Sequence, residues 1–295
     1  VVAGIAAERN VRFQTEMGGK NVVIVGPDAD LDAAAALTAA GAMRYAGQKC
    51  TATSRVVVVK DVEHDFLSRL KAQVERLPLG PVDDPAAAVG PLISARSRDS
   101  ISQALRDGNA DPIFGGQLPN DPRFTRGFFF APLVIRFADA DAPLAQRELF
   151  GPVLGTLVAD DLDHAIALAN RTPYGLSASL FTRDLRAALR YIHRIDVGLV
   201  RVNGDTTGVD PHAPFGGMKG SSSGSREQGP AARILCIGGE GGEDFCREGA
   251  RGDALAGAAG TAKEVGMRRA AGKRRLERDL RARLVGGAVL ERGGG

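Results

Sequence analysis

The 295-residue sequence predicts an α/β fold: a mainly parallel, twisted sheet flanked by helices. Three observations carry that prediction. Short apolar, β-rich runs (NVVIV, VVVV, VLGTLVAD, SASLFT, GLVRVN) recur along the chain. Helical stretches, alanine-rich or amphipathic, separate most of them, and Gly-Pro or aspartate-bearing turns bound both kinds. Strand–helix–strand alternation favours parallel pairing, because the helix carries the chain back before the next strand begins. A chain of this length buries a sizeable core.

The elements follow in order. VVAGIAAERNVRF reads as a helix and then a strand near 12–15. NVVIV at 21–25, bounded by Gly18-Gly19 and Gly26-Pro27, is a buried strand. Asp28 and Asp30 offer N-caps to an alanine-rich helix expected to end near Gly47. VVVV at 56–59 is a second buried strand. In HDFLSRLKAQVERL the apolar Phe66, Leu67, Leu70, Val74 and Leu77 recur at helical spacing. LPLGPVDDP and GPL are turns, and SARSRDSISQALRDG is a helix stopped at Gly108. FFFAPLVIRF, aromatic and β-branched around a proline, reads as a strand or paired strands at an edge. VLGTLVAD is a strand, DLDHAIALANRT a helix capped by aspartate, SASLFT a strand, DLRAALRYIHRI a helix and GLVRVN a strand. Beyond about Leu235 a quarter of the residues are glycine, arginines are dense and neither period persists. Such a segment buries too little apolar area to offset its ordering entropy, so disorder is expected there.

Charge and cysteine usage narrow the function classes. The chain carries 38 Lys+Arg against 35 Asp+Glu, a net +3. From Cys236 onward there are twelve Lys/Arg against nine Asp/Glu, an excess equal to that of the whole chain, so the main body is balanced. A neutral body is no nucleic-acid footprint. Three cysteines give no disulfide framework, and a reducing cytoplasm is the expected compartment. The four histidines show no HxxxH or HxH spacing, and Cys236 and Cys246 stand ten apart, so no metal site is expected. No apolar run approaches membrane-spanning length, and the start lacks a signal-peptide layout.

Four stretches hold the residues that could do chemistry. Cys50, in YAGQKCTATSR, is the only cysteine in the well-patterned part, at a turn between helix and strand; by itself it reads as a packed thiol or a nucleophile. TEMGGK at 15–20 puts Glu16 at a strand end before two glycines that allow close backbone approach. RELFGPV at 147–153 sets Glu148 and Phe150 before a Gly-Pro turn, and HAPFGGMKGSSSGSREQG is a glycine-serine loop of the kind that covers a site. Gly216 and Gly217 are turn glycines first. His193, His212, Cys236 and Cys246 receive no role.

These stretches, with PYGLSASLFTRD, occur in the order and at about the spacing seen in the NAD(P)-dependent aldehyde dehydrogenases, which the chain resembles over about 5–233. The resemblance implies an aldehyde dehydrogenase catalytic domain at 19–235, a remnant of a Rossmann-like cofactor domain at 1–18, and the Gly/Arg-rich tail at 236–295. It implies that Cys50 is the nucleophile, forming a thiohemiacetal and then a thioester. Glu16 matches the general base, a role that suits a carboxylate whose pKa burial raises. The Cys50 N–H would supply half of an oxyanion hole. Glu148 and Gly18 match positions beside the nicotinamide ribose, Phe150 the ring packed against that nucleotide, and Asn203 and Phe215 positions near substrate or catalytic loop. The implied cofactor is NAD or NADP, the substrate a small aldehyde, the GGMKGSSSGSREQG variant pointing to a semialdehyde, and the assembly a homo-oligomer.

The sequence also departs from the family pattern. The family's phosphate-binding loop, ribose-binding lysine and oxyanion asparagine have no counterpart in 1–15, so this chain is expected to start inside a longer pattern, bind NAD poorly and turn over slowly. After REQGPAAR the expected subunit-pairing strand is replaced by ILCIGGEGGEDFC, and coherent patterning is expected to stop near Ile234, as a shifted reading frame would make it. Two other classes stay open: a cofactor-free thiol esterase using Cys50 and Glu16, and a silent fragment that associates with full-length relatives.

Overall fold

The computed structural model describes residues 1–11, 13–208 and 215–224, and the backbone of two strands at 233–238 and 244–249. Most of the segment expected to be disordered, together with His212, lies outside the described residues.

A short helix α1 (Val2–Glu8) leads to β1 (Gln14–Glu16), and the glycine pair then delivers the chain to β2 (Asn21–Val25), buried at every position. Asp30 caps α2 (Leu31–Met43), its carboxylate accepting from the N–H groups of Asp32 and Ala33, as the sequence predicts. Alanines let this helix lie close on the sheet: Ala34, Ala35, Ala39 and Ala42 are buried. The helix stops earlier than expected, at Met43 rather than Gly47. Tyr45, Ala46 and Gly47 take φ of 55°, 52° and 63°, a left-handed turn in which a right-handed helix cannot continue.

The central part alternates as predicted. β3 (Thr53–Val59) is followed by α3 (Glu63–Glu75), whose Phe66, Leu70 and Val74 are buried, and by α4 (Ala95–Asp107), capped by Ser94. β4 (Asp111–Gly115) has no counterpart in the sequence reading: it is short, carries Pro112 and contains a register shift. It takes the edge position expected of FFFAPLVIRF. That segment instead supplies β5 (Leu133–Arg136), which lies between β4 and β6. Pro132 precedes β5, where its missing N–H leaves the ladder intact, and Pro112 sits in the edge strand, where proline is tolerated.

After α5 (Pro143–Gln146) come β6 (Val153–Ala159), α6 (Leu162–Asn170), β7 (Tyr174–Gly175), β8 (Ser177–Phe181), α7 (Leu185–Arg194) and β9 (Leu199–Val202). Asp161 and Asp184 cap α6 and α7. β10 (Met218–Lys219) pairs with β7, and β11 (Ser222–Gly224) with β1. Patterning expected to stop near Ile234 does not stop in the backbone: β12 (Arg233–Gly238) and β13 (Asp244–Gly249) extend the sheet. The ILCI run in β12 is rich in strand-favouring residues and pairs in parallel with β9.

The main sheet has nine strands among the described residues, in the order β13-β12-β9-β8-β2-β3-β6-β5-β4. All neighbours are parallel except the two outermost pairs, which are antiparallel. β2 and β3 form the middle of one continuous apolar core. From β2 the chain moves one way to β3; from β8 it moves the other way to β9. The switch point therefore lies between β2 and β8. α/β sheets usually bind ligands at the carboxyl ends beside such a point. Here Asp28 fills it, accepting from Thr182 Oγ1 (2.8 and 2.9 Å) and from the Arg183 N–H (2.8 Å). The candidate chemistry gathers at the opposite, amino ends of the strands.

Candidate active site

Lys20 immediately precedes β2, Cys50 lies just ahead of β3, and Glu148 and Phe150 come just before β6. Parallel strands thus bring three distant segments to one edge. The left-handed turn at 45–47 leads into the Cys50 turn. Gly47 is held against Gly151: a Cβ on Gly47 would meet the Gly151 carbonyl. Gln48 ties the same two segments together, donating to the Phe150 carbonyl (3.3 Å) and accepting from the Ile93 N–H (3.0 Å). Phe150 is exposed, with φ of 53°, and the Lys49 ammonium lies 3.8 Å from the centre of the Tyr45 ring. Strained backbone of this kind persists where surrounding contacts hold it, commonly at functional sites.

Cys50 is exposed. Beneath it the turn stands on a buried layer of hydroxyls. Thr206 Oγ1 donates to the Thr51 carbonyl (2.7 Å), so Thr53 Oγ1 is the donor in its 2.8 Å bond with Thr206 Oγ1. Ser177 Oγ donates to the Thr206 carbonyl (3.0 Å), and Thr51 Oγ1 to the Thr207 carbonyl (3.3 Å). Asn203 does not share this place. It follows the carboxyl end of β9 and exchanges hydrogen bonds with Thr182, donating to its carbonyl and accepting from its N–H. The chain then runs back along β8, through the Ser179–Gly204 hydrogen bond, to set Thr206 under Cys50. The expected approach of this segment to the catalytic loop is made by Thr206, three residues later.

Glu148 bends over the glycine pair. Its Oε1 accepts from the Gly19 N–H (2.9 Å), and a Cβ on Gly18 would overlap its carboxylate. Its Oε2 has no hydrogen-bond partner among the described residues. Partial burial raises the Glu148 carboxyl above its ordinary value, against the lowering effects of the Gly19 N–H and Lys20. Glu16 accepts from Ser222 Oγ (2.7 Å) through the β1–β11 ladder. It is exposed. Phe215 is half-buried; the carbonyl of the next residue, Gly216, packs against Gly198 at the start of β9, placing Phe215 at the same end of the sheet.

The Cys50 thiol departs from the low pKa expected of a reactive cysteine. Partial burial of the sulfur pushes it up, N–H groups of Thr51 and Cys50 pull it down, and the charges of Glu148 and Glu16 push it up again. Thiolate formation is therefore opposed by the same two carboxylates that flank the sulfur.

Lys20, the last residue of TEMGGK, is buried with its ammonium 5.5 Å from the centre of the Phe137 ring. Desolvation, then the nearby Arg55 charge, lower it from 10.5 to about 7, against the pull of Glu148. The folded protein thus holds this proton less tightly than the unfolded chain. Between pH 7 and 10.5 the unfolded chain binds more protons, so stability attributable to Lys20 rises with pH across that window, and below it the cost is constant. Lys20→Met is expected to flatten the rise by on the order of 1 kcal/mol per pH unit. Urea midpoints followed across the window check this; an unchanged slope would contradict it. Arg55, itself lowered to about 10 by burial, donates to the carbonyls of Lys20, Leu168 and Ala169, binding the entry of β2 to the end of α6.

No helix among the described residues is long and apolar enough to cross a membrane. No group of three or more His, Cys, Asp or Glu among them is arranged to hold a metal.

The site can be set beside known proteins. A model of the aldehyde dehydrogenase family matches residues 1–234. The chain is 39% identical over 236 residues to an alpha-ketoglutaric semialdehyde dehydrogenase of Bacillus subtilis, covering 79% of this chain and 48% of the relative. It is 39% identical over 230 residues to an alpha-ketoglutarate semialdehyde dehydrogenase of Haloferax volcanii, covering 77% and 47%. Among solved structures it resembles a Mycobacterium tuberculosis aldehyde dehydrogenase complexed with NAD+, at TM-score 0.71 and 33% identity, over 78% of this chain and 47% of that one. The chain spans about half the length of the curated relatives it matches. With this extent of agreement in sequence and fold, the chain belongs to the aldehyde dehydrogenase family.

Proposed function

We propose that the chain carries the thiol half of an NAD(P)-dependent oxidation of an aldehyde to a carboxylic acid. The observation that carries this reading is an exposed Cys50 at the amino ends of the parallel strands, with Glu148 and Glu16 near enough for their charges to act on the thiol. The Cys50 thiolate attacks the aldehyde carbon, forming the C–S bond while the carbonyl electron pair moves onto oxygen. NAD(P), when bound beside Glu148 and Phe150, would supply the acceptor for the hydride that leaves that carbon. Cys50 then holds the acyl group as a thioester, and Glu16 takes a proton from the water that displaces the thiolate, releasing acid. Thiolate is a good leaving group, which is why sulfur suits this position.

The residues fit the nicotinamide-ribose end of the cofactor. Glu148 Oε2 is available to accept from a ribose hydroxyl, Gly18 leaves room for that carboxylate, and Phe150 offers a ring beside it. A semialdehyde substrate is supported by the Bacillus and Haloferax relatives, which are named as semialdehyde dehydrogenases. The same relatives are named as dehydrogenases, which favours this reading over a cofactor-free esterase.

Single-turnover labelling tests the proposal. With NAD(P)+ and alpha-ketoglutaric semialdehyde, Glu16→Gln is expected to accumulate an acyl group on Cys50, with hydrolysis slowed roughly 10²- to 10⁴-fold. Peptide mass analysis reads the adduct. An acyl group on another residue, or on none, would refute the assignment.

A further inference from the structure

Asn21 opens β2, is buried, and has its amide bound on both sides. Its Nδ2 donates to the carbonyl oxygens of Cys50 (2.8 Å) and Ala52 (2.8 Å), and its Oδ1 accepts from the Ser177 N–H (3.0 Å). Two carbonyls on one side and a main-chain N–H on the other fix which way the amide faces. The Cys50 carbonyl belongs to the peptide linking Cys50 to Thr51. The N–H of that same peptide, on Thr51, is one of the groups that pull the thiol's pKa down. In a planar trans peptide the C=O and N–H point in opposite directions, so holding the oxygen fixes where the hydrogen points. Gly19 closes the arrangement. A Cβ there would stand 2.8 Å from both the Cys50 carbonyl oxygen and Asn21 Oδ1, so only glycine leaves that space to the amide.

We propose that Asn21 is a positioning residue for the Cys50 nucleophile, clamping the Cys50 carbonyl and so fixing the orientation of the Cys50–Thr51 peptide beside the sulfur. The inference rests on the reading of Cys50 as the nucleophile. Asn21 touches neither the sulfur nor the reacting carbon; it acts through one peptide group. That group is the counterweight to the burial and the two carboxylates that oppose thiolate formation. Releasing the clamp lets the peptide rotate, and the sulfur loses the help of the Thr51 N–H.

The pH profile of Cys50 alkylation by iodoacetamide, read by peptide mass, tests this in the full chain. Asn21→Ala is expected to move the midpoint upward, so that alkylation below the midpoint slows about tenfold, the equivalent of one pH unit. Asn21→Ser, whose hydroxyl leaves room for a bridging water, is expected to fall between wild type and alanine and keeps the test open should the alanine variant not fold. Val57→Ala, in the buried centre of β3, serves as a control that lowers thermal stability without moving the midpoint. A wild-type midpoint in the Asn21 variants, or an equal shift in Val57→Ala, would overturn the inference. Failure of the nucleophile reading shows separately, as turnover that survives Cys50→Ala.

Discussion

Cys50→Ala is expected to lower aldehyde oxidation by on the order of 10⁴-fold or more, while changing folding stability by no more than about 0.5 kcal/mol. The two halves of this expectation have separate causes. Covalent chemistry at the site has one candidate sulfur, and a methyl group cannot form or break the bond to the acyl carbon. Stability is spared because Cys50 is exposed and the turn is held by its main chain: Asn21 binds the Cys50 and Ala52 carbonyls, and Thr206 binds that of Thr51. Progress curves and urea melts on the purified variant check both. Activity within tenfold of wild type would remove Cys50 from the mechanism. A large loss of stability would show that the thiol is structural.

Gly47→Ala is expected to destabilise the fold by about 3 kcal/mol and to impair the site along with it. Tyr45 and Ala46 already occupy left-handed backbone, so φ of 63° at Gly47 is only part of the cost, about 1 kcal/mol. The larger part is steric. A Cβ at Gly47 would overlap the Gly151 carbonyl, which is backbone and cannot rotate away. Relief requires the Cys50 turn and the Glu148–Gly151 segment to separate, which also stretches the Gln48 bond to Phe150. Thermal melts measure the first effect, and the Cys50 alkylation rate the second. A melting temperature equal to wild type would mean that the two segments are not held together as described.

Much of the fold could be read from local pattern. β2 and β3 announce themselves as short apolar runs between glycines and turns, and Asp30, Asp161 and Asp184 cap helices where capping chemistry predicts. The misreadings have specific causes. The end of α2 was placed four residues late because YAG offers no proline or charge to mark a left-handed turn, and non-glycine residues rarely adopt one. β4 was overlooked because a five-residue strand containing proline and a register shift has no clean period. The sequence reading treated FFFAPLVIRF as an edge on account of its proline, which in fact lies just before β5.

The site divides in the same way. Cys50, Glu16, Gly18, Glu148 and Phe150 stood out through motifs, and the fold places their segments at one end of the sheet. Asn203 was singled out for the same reason and lies at the other end, because a strand-end position does not say which end of its sheet carries the chemistry. Asn21, Lys20 and Thr206 went unassigned. Each looks ordinary in sequence, and its importance comes from a partner 29 to 155 residues away, or from burial beside Arg55 and Phe137. A polar residue opening a wholly apolar strand, as Asn21 and Lys20 do before VVIV, was the one available hint.

By itself the sequence determined the alternation of strands and helices and the helix caps, and it marked Cys50, Glu16 and Glu148 as candidates, because these depend on contacts within a few residues or on chemical type. Tertiary structure alone decided which end of the sheet bears the site, that Asp28 fills the opposite end, and that Glu16 is exposed while Lys20 is buried. It also set the direction of the thiol's pKa, since that depends first on how far folding buries the sulfur and then on groups brought close when parallel strands align.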